Sequence, residues 1–179
     1  MRACSIVLLV ALFTTPALAD DWSPVVHGLR GRLIVTATTD VIHRPQWKLE
    51  LELQNVTDLA EPISLSANLP SQMVELVLED EAGKPIPRAA VPGNEITPPP
   101  YVLNLPVAST LRMTLSSEAI AYGTKIPLLR PFAFQAWWLP AKHGKLYLSA
   151  KLRPAAGGRK IDSRNEWTGE LALPRVALP

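Results

Sequence analysis

The stretch 47-WKLELELQ-54 decides the fold class of this chain. Four apolar residues alternate with four polar residues without a break: Trp47, Leu49, Leu51 and Leu53 against Lys48, Glu50, Glu52 and Gln54. Successive side chains of a β-strand point to opposite faces, so a period of two separates an apolar face from a polar one. The stretch therefore predicts a strand with one face in the core and the other in water.

The same alternation recurs on both sides of this strand. It is visible in 63-ISLSANL-69, 73-MVELVLED-80, 110-TLRMTLS-116, 132-FAFQAWW-138, 145-KLYLSAKL-152 and 167-WTGELAL-173. Turn-forming residues and the 17 prolines that follow residue 19 punctuate the chain between these segments, and no sustained helical period follows residue 20. Seven to nine short strands predict an all-β chain, a single antiparallel immunoglobulin-like β-sandwich over residues 20–179. A small β-barrel is the alternative.

Residues 1–19 have the features of a secretory signal peptide. Arg2 precedes an apolar run over 6–13, and Ala17-Leu18-Ala19 matches the small-x-small cleavage pattern. The run is too short to cross a bilayer, and no later stretch is apolar enough to do so. Cys4 is the only cysteine, so cleavage leaves a cysteine-free mature domain. We expect an exported protein, periplasmic or secreted, with no transmembrane segment.

Charge and residue types argue against several function classes. Without Arg2, the 18 Lys and Arg become 17 against 16 Asp and Glu, which gives no strong attraction to nucleic acid. His27, His43 and His143 lie in separate segments, outside any G-x-S-x-G or H-E-x-x-H frame. No thiol remains after cleavage, and no His or Cys cluster suggests a zinc site. The acidic cluster 79-EDE-81 lies at a presumed hairpin tip, where we interpret it as solvated charge rather than as a weak calcium site. We expect no enzymatic activity, no metal and no cofactor.

Four short motifs follow one another in a recognisable order. They are an Asn-x-Thr turn at 55–57, a D-x-x-G-K-P turn at 80–85, a glycine-led strand at 144–150 and a W-x-G strand at 167–171. This order resembles a group of exported bacterial immunoglobulin-like domains, mostly without assigned function. Leu146 stands where such domains often carry Tyr. The resemblance implies the fold and carries no activity or functional residue with it.

The adjacent Trp137 and Trp138 raise the question of a binding surface, because neighbours on a strand cannot enter the same core. A strand over 132–138 paired in a hairpin with 145–152 places Trp138 opposite Leu146 in the core. The same register places Trp137 on the outer face. Alternatively, Trp137 is covered by the N-terminal arm or by the 154–165 loop.

An outward Trp137 would lie beside Tyr147 and next to a loop that carries Lys142 and His143. Aromatic side chains dominate recognition surfaces because they bury much area at low entropic cost. We therefore predict a ligand-binding site from these four residues: Trp137, Tyr147, Lys142 and His143.

These observations favour an exported, non-catalytic binding or accessory module. It would recognise a protein, a peptide or a glycan through its loops or through the outer aromatic face. One alternative is a secreted protease inhibitor that presents 92–100 or 154–165 to a protease. Another is a structural subunit of an envelope assembly. Asn55-Val56-Thr57 also matches the acceptor pattern for N-glycosylation.

Overall fold

The computed structural model describes residues 21–58, 60–67, 73–90, 101–121, 128–132, 135–139, 144–154 and 166–179. The predicted signal peptide lies outside these ranges. The described strands are β1 (Leu29–Thr39), β2 (Pro45–Asn55), β3 (Ile63–Ala67), β4 (Val74–Glu79), β5 (Tyr101–Leu105), β6 (Thr110–Ser116), β7 (Ile120–Ala121), β8 (Leu128–Phe132), β9 (Gln135–Trp138), β10 (Tyr147–Leu152) and β11 (Leu171–Ala177). No helix within the described part of the chain is long and apolar enough to cross a membrane.

The strands form four small sheets with the orders β1-β2-β6, β11-β10-β4, β3-β5 and β7-β8-β9. Every strand pair is antiparallel, which confirms the all-β antiparallel prediction. The hydrogen-bonded order of these described strands does not close into a barrel. The described residues alone form eleven strands, more than the predicted seven to nine, because the count includes β7 with two residues and β9 with four. Elements this short carry no readable alternation.

A single apolar cluster joins the four sheets. The predicted inner face of β2 is buried, with Leu49, Leu51 and Leu53 fully inaccessible. It shares this core with residues of the other sheets, among them Leu76, Leu78, Leu148, Leu152, Leu65, Leu129 and Trp137. Burying one such leucine stabilises a fold by roughly 1.5–3 kcal/mol. The core, rather than any crosslink, therefore holds the sheets together.

Two buried glutamines link sheets where strand pairing stops. Gln46 donates from Nε2 to the Ile120 carbonyl (2.7 Å) and accepts the Ile120 N–H (2.9 Å), which joins β2 to β7. Gln135 accepts the Leu76 N–H (2.8 Å) and donates to the Val74 carbonyl (2.8 Å), which joins β9 to β4. A primary amide has both a donor and an acceptor, so each glutamine satisfies the strand edge that it faces.

The turns at 40–45 and 80–85 have the same geometry. In each, the first residue is an aspartate whose N–H donates to the carbonyl four residues later, at 3.0 Å. The aspartate carbonyl accepts the N–H three residues later, and its Oδ1 accepts the N–H four residues later. The fourth position has positive φ, +61° at His43 and +80° at Gly83. The predicted D-x-x-G-K-P turn is confirmed, and 40-DVIHRP-45 forms the same turn with His43 in place of the glycine.

Both turns project from the same end of the molecule. Tyr147, the first residue of β10, pairs with Glu79, the last residue of β4, and with Ala177, the last residue of β11. The start of β10 and the ends of β4 and β11 therefore lie side by side. β1 runs alongside β11 in the same direction, since a Cβ added to Gly31 would lie 3.0 Å from Leu173 Cδ2 and one added to Gly169 would lie 2.8 Å from Val26 Cγ1. The β1–β2 turn therefore extends past the level of Ala177. We call this end, with residues 40–44, 80–87 and 144–146, the turn end.

The predicted strand over 132–138 is wrong. Phe132 and Gln135 are partners in the β8–β9 pair, so the chain reverses direction between them. The predicted hairpin with 145–152 is also wrong, because β10 pairs with β4 and β11. The closing strand lies at Leu171–Ala177, about four residues later than the predicted 167–173.

Candidate functional site

The orientations predicted for the adjacent tryptophans are reversed in the structure. Trp137 is 1% exposed and Trp138 is 43% exposed. The prediction carried the alternation from Phe132 through to Trp138 as one strand, and the reversal before Gln135 breaks that phase. The prediction that Trp137 faces solvent is therefore wrong, as is the prediction that Trp138 lies in the core.

The segment that follows the second turn covers Trp137. The indole Nε1–H donates to the Ile86 carbonyl at 3.1 Å, and the Ala89 N–H donates to the Ala136 carbonyl at 2.7 Å. The Arg88 guanidinium lies 5.9 Å from the centroid of the indole ring. Residues 86–89 therefore take the covering role that the sequence assigned to the N-terminal arm or the 154–165 loop. Trp137 in turn supports these residues from beneath.

Tyr147 is half-buried and its ring is already in contact with a cation. The Arg175 guanidinium lies 3.8 Å from the ring centroid and also donates to the Glu81 carbonyl at 3.4 Å. Trp137 and Tyr147 lie in different strand pairs, so they do not form the predicted pair on one outer face. Lys142 and His143, the other two residues of the predicted site, lie outside the described residues.

An open depression of about 330 Å³ lies at the turn end. Its lining is Asp80, Lys84, Pro85, Ile86, Pro87, Gly144 and Leu146. Four of these residues are apolar, and Asp80 and Lys84 supply one charge of each sign. This volume is at the lower end of the ~300–1,000 Å³ typical of ligand pockets, a size that suits a few side chains of a larger partner.

Three exposed apolar residues lie toward the same end of the molecule as this depression. Val41 is 94% exposed and Ile42 is 63% exposed, both at the tip of the β1–β2 turn. Trp138 is 43% exposed. β9 runs toward the turn end, because its first residue, Gln135, bonds to Leu76 in β4 and Trp137 bonds to Ile86 beyond β4. Trp138 therefore lies on the turn-end side of Trp137. Clustered exposed apolar residues mark interaction sites more often than scattered ones do.

The fold does not require aliphatic residues at the first turn. Glu81 and Ala82 occupy the positions in the second turn that Val41 and Ile42 occupy in the first, and the backbone–backbone hydrogen bonds of the two turns are the same. The sequence interpretation missed this tip. A comparison of 40-DVIHRP-45 with 80-DEAGKP-85 could have found it, because both segments begin with Asp and end with a basic residue followed by Pro.

The ion pair between Asp40 and Arg44 stabilises the first turn. Burial raises the pKa of Asp40, but hydrogen bonds from the Arg44 N–H, the Arg44 guanidinium and the Ile42 N–H outweigh it, so the pKa is lowered. The ionised carboxylate is 2.6 Å from Arg44 Nε. Asp40 and Arg44 thus form a closed ion pair that holds the tip residues in one conformation.

A second charge cluster has a structural role on the outer face of the β1-β2-β6 sheet. Hydrogen bonds from Arg112 and then from Lys48 lower the pKa of Glu50, and burial opposes them. The Glu50 carboxylate lies 2.7 Å from Arg112 and 2.8 Å from Lys48, which ties β2 to β6. These contacts satisfy the charge of a carboxylate that is almost fully buried.

The remaining sequence candidates give no further site. The Asn55 side chain is fully buried and donates to the Leu105 carbonyl at 2.9 Å, so the glycosylation acceptor atom is inaccessible in the folded chain. Within the described ranges, no three His, Cys, Asp or Glu side chains are grouped to hold a metal ion. The candidate inhibitor segment 92–100 and all but the first residue of 154–165 lie outside the described residues.

A scan against protein-family models and searches of curated proteins and of solved structures found no match to this chain.

Proposed function

We propose that this chain is a non-catalytic binding module that recognises an apolar segment of a protein or peptide through its turn end. The observation that carries the proposal is the position of the depression at 80–87 and 144–146. It lies at the same end of the molecule as the exposed Val41, Ile42 and Trp138. Recognition surfaces typically combine such apolar anchors with a polar rim, which Asp80 and Lys84 supply.

The turn end is held in one conformation by hydrogen bonds, and this supports a role of its exposed residues in binding. Three hydrogen-bond donors converge on the Asp40 carboxylate, from the Ile42 N–H, the Arg44 N–H and the Arg44 guanidinium. Under the depression, Trp137 holds Ile86 in place through its indole N–H. Groups that are already ordered lose little entropy on binding, so a small surface of this kind gives more affinity than a flexible loop.

The burial of aromatic side chains favours a protein or peptide over a glycan. Trp137 is inaccessible, and Arg175 already stacks on Tyr147, so the predicted aromatic platform loses both of its rings. The depression instead offers proline, isoleucine and leucine side chains. Aliphatic surface of this kind matches the apolar side chains of a polypeptide better than the hydroxyl groups of a sugar.

The immunoglobulin-like sandwich and the exported location remain part of the proposal. The shared core and the packing of β1 along β11 support a sandwich. The charge, apolar run and cleavage pattern of residues 1–19 support export.

Selection from a random peptide library on the mature chain, residues 20–179, tests the function. We expect the selected peptides to carry adjacent aliphatic residues and to lose affinity at least tenfold for Pro87→Asp. Pro87 is exposed, lines the depression and has no N–H to lose, so the substitution adds a charge with little disturbance. Val25→Asp is the matched control, because Val25 is 55% exposed and lies beside Val26 at the opposite end. Peptides that bind Pro87→Asp as well as the wild type would contradict the proposal.

A further inference from the structure

We infer that the open side of β6 is a separate binding site, which accepts an extended segment of another protein as an added β-strand with an acidic residue opposite Arg112. We call this open side, over residues 110–114, the β6 edge. β6 pairs with the half of β2 that lies farther from the first turn, so the β6 edge is distinct from the turn end. The inference therefore goes beyond the function proposed above and does not depend on it.

The backbone groups of β6 alternate between β2 and the open side. The Asn55 N–H donates to the Ser109 carbonyl at 3.1 Å, at the start of the register that pairs β2 with β6. Backbone groups of successive residues in a strand point in opposite directions, so residues 109, 111 and 113 direct theirs toward β2. The N–H and carbonyl groups that point away from β2 therefore belong to Thr110, Arg112 and Thr114, whose side chains are all exposed.

Among the described strands, β2 is the only hydrogen-bonded neighbour of β6. The chain beyond β6 continues along β2, since the Ala119 N–H donates to the Trp47 carbonyl at 3.0 Å. β8 lies on the outer side of this continuation, where Ile120 pairs with Leu129. β8 ends at Phe132, so in this register it reaches only as far as position 117. The backbone groups of residues 110–114 are left open beside the end of β8.

The structure closes its other outer strands at comparable positions. On β4, Gln135 satisfies the Leu76 N–H and the Val74 carbonyl, and the Ile86 N–H donates to the Leu78 carbonyl at 2.8 Å. β11 carries Pro174, which has no N–H to offer. Proteins usually cover open strand edges or blunt them with proline or lysine, because such edges pair with other chains. Residues 110–116 contain neither, so this edge is suited to strand addition.

The inner face of β6 is apolar but incompletely covered. Leu111, Met113 and Leu115 pack against the core and remain partly exposed. The leucines of β2 that lie beside them are fully buried, because β2 has a strand on each side. A strand added at the β6 edge would place alternate side chains next to these three residues. Apolar side chains at those positions would complete the cover, so the segment that fits carries an apolar residue at every second position.

The outer face beside this edge has a surplus positive charge. The Glu50 carboxylate is shared by Arg112 at 2.7 Å and Lys48 at 2.8 Å, so this group of three side chains keeps one uncompensated cation. Glu52, which lies opposite Arg112 on β2, is already bound to Arg32 at 2.6 Å. Oppositely charged side chains that face each other on neighbouring strands stabilise the pair. An acidic residue opposite Arg112 therefore complements the outer face.

The same charge argues against a second copy as the occupant. Two β6 edges that pair antiparallel across a two-fold axis use all three open residues of each copy only when Arg112 lies opposite Arg112. Like charges directly opposite each other destabilise a strand pair. A different protein segment, with an acidic residue at this position, is the better match.

Selection from a displayed library of strand-forming peptides on the mature chain tests the inference. Each peptide has roughly seven residues, with Val, Ile, Leu or Phe at alternate positions and any residue between them. We expect the selected peptides to carry Asp or Glu at one of the variable positions. On ¹⁵N-labelled chain, a selected peptide should shift the amide signals of residues 110–115 more than those of other strands.

Two substitutions of one residue separate the open edge from the fold. Thr114→Pro removes an N–H that points away from β2, so it keeps the pairing with β2 and blocks the added strand. Thr114→Val at the same position keeps the N–H. We expect Thr114→Pro to weaken peptide binding at least tenfold and Thr114→Val to change it less than twofold. Thr110→Pro makes the same test at the start of β6 if Thr114→Pro does not unfold cooperatively in urea.

Arg112→Thr tests the charge. Glu50 keeps its contact with Lys48 in this variant, so the sheet retains a partner for the buried carboxylate. The wild type should bind a selected peptide about two- to fivefold more tightly than the same peptide with Lys in place of its acidic residue. Arg112→Thr should bind the two peptides with nearly equal affinity.

Several results would overturn the inference. One is a library from which no peptide is enriched, and another is equal binding of the selected peptides to Thr114→Pro and to the wild type. An acidic preference that persists in Arg112→Thr would reject the pairing with Arg112. A dimer in sedimentation velocity that Thr114→Pro dissociates would make a second copy the occupant. Binding that is lost in Pro87→Asp but kept in Thr114→Pro would leave the proposed function standing and reject only the β6 edge.

Discussion

The same substitution at two adjacent tryptophans should have opposite effects. Trp137 is 1% exposed and donates its indole N–H to the Ile86 carbonyl at 3.1 Å, whereas Trp138 is 43% exposed. We expect Trp137→Phe to destabilise the fold and to remove a fluorophore that quenchers cannot reach. We expect Trp138→Phe to leave stability nearly unchanged and to remove a fluorophore that they can reach.

The magnitude follows from what each side chain contacts. Trp137→Phe leaves the Ile86 carbonyl without its indole donor, which costs about 1 kcal/mol. The smaller ring also leaves a cavity in the core, which costs a further ~1–2 kcal/mol. The free energy of unfolding should fall by about 2–3 kcal/mol in total, and by less than ~0.5 kcal/mol for the exposed Trp138.

Urea denaturation and acrylamide quenching of the two variants measure these quantities. With a slope of about 2 kcal/mol per M, the midpoint of Trp137→Phe should fall by about 1–1.5 M and that of Trp138→Phe should stay within ~0.3 M. The average quenching constant should rise for Trp137→Phe and fall for Trp138→Phe. Equal midpoints, or a quenchable component lost with Trp137, would refute the burial of this indole.

Three further perturbations test other parts of the structure. Gly28→Ala should lower the melting temperature by several degrees, because Gly28 has a φ of +77° and an added Cβ would collide with Cγ2 of Thr57; an unchanged temperature contradicts this. Gln135→Leu should cost about 2–4 kcal/mol in urea denaturation, because two buried backbone groups of β4 lose their partners. The pKa of Asp40 is lowered from its usual value of 3.8, so its contribution is fully present above about pH 4 and is lost as the pH falls through the lowered pKa. Thermal unfolding from pH 7 to pH 2 should therefore show a smaller acid-induced loss for Asp40→Asn than for the wild type.

Alternation within one strand was enough to predict much of the fold. Residues 47–54 and 110–116 lie in β2 and β6, as their period of two requires, and β10 buries the predicted Leu148, Ala150 and Leu152. These predictions succeed because strand and face are local properties of a sheet with one side in the core. The turn at 80–85 was predictable for a similar reason, since its aspartate and glycine act on neighbouring backbone groups.

The candidate site could not be predicted in the same way. It depends on where the chain reverses direction and on which distant segment packs over each strand. No Gly, Pro, Asn or Asp lies between Phe132 and Gln135, so nothing local marks the reversal there. The cover over Trp137 comes from residues 86–89, about fifty positions earlier in the chain. The tip at 41–42 escaped notice because His43 takes the left-handed position that glycine usually marks.

Amide chemical-shift mapping on ¹⁵N-labelled mature chain, titrated with a peptide selected from the library, tests the central claim most directly. We expect the largest shifts to fall on residues 41–42, on 84, 86 and 88, and on 144–146, and we expect Pro87→Asp to abolish them. Shifts centred on Val25 and Val56, at the opposite end of the strands, would contradict recognition through the turn end.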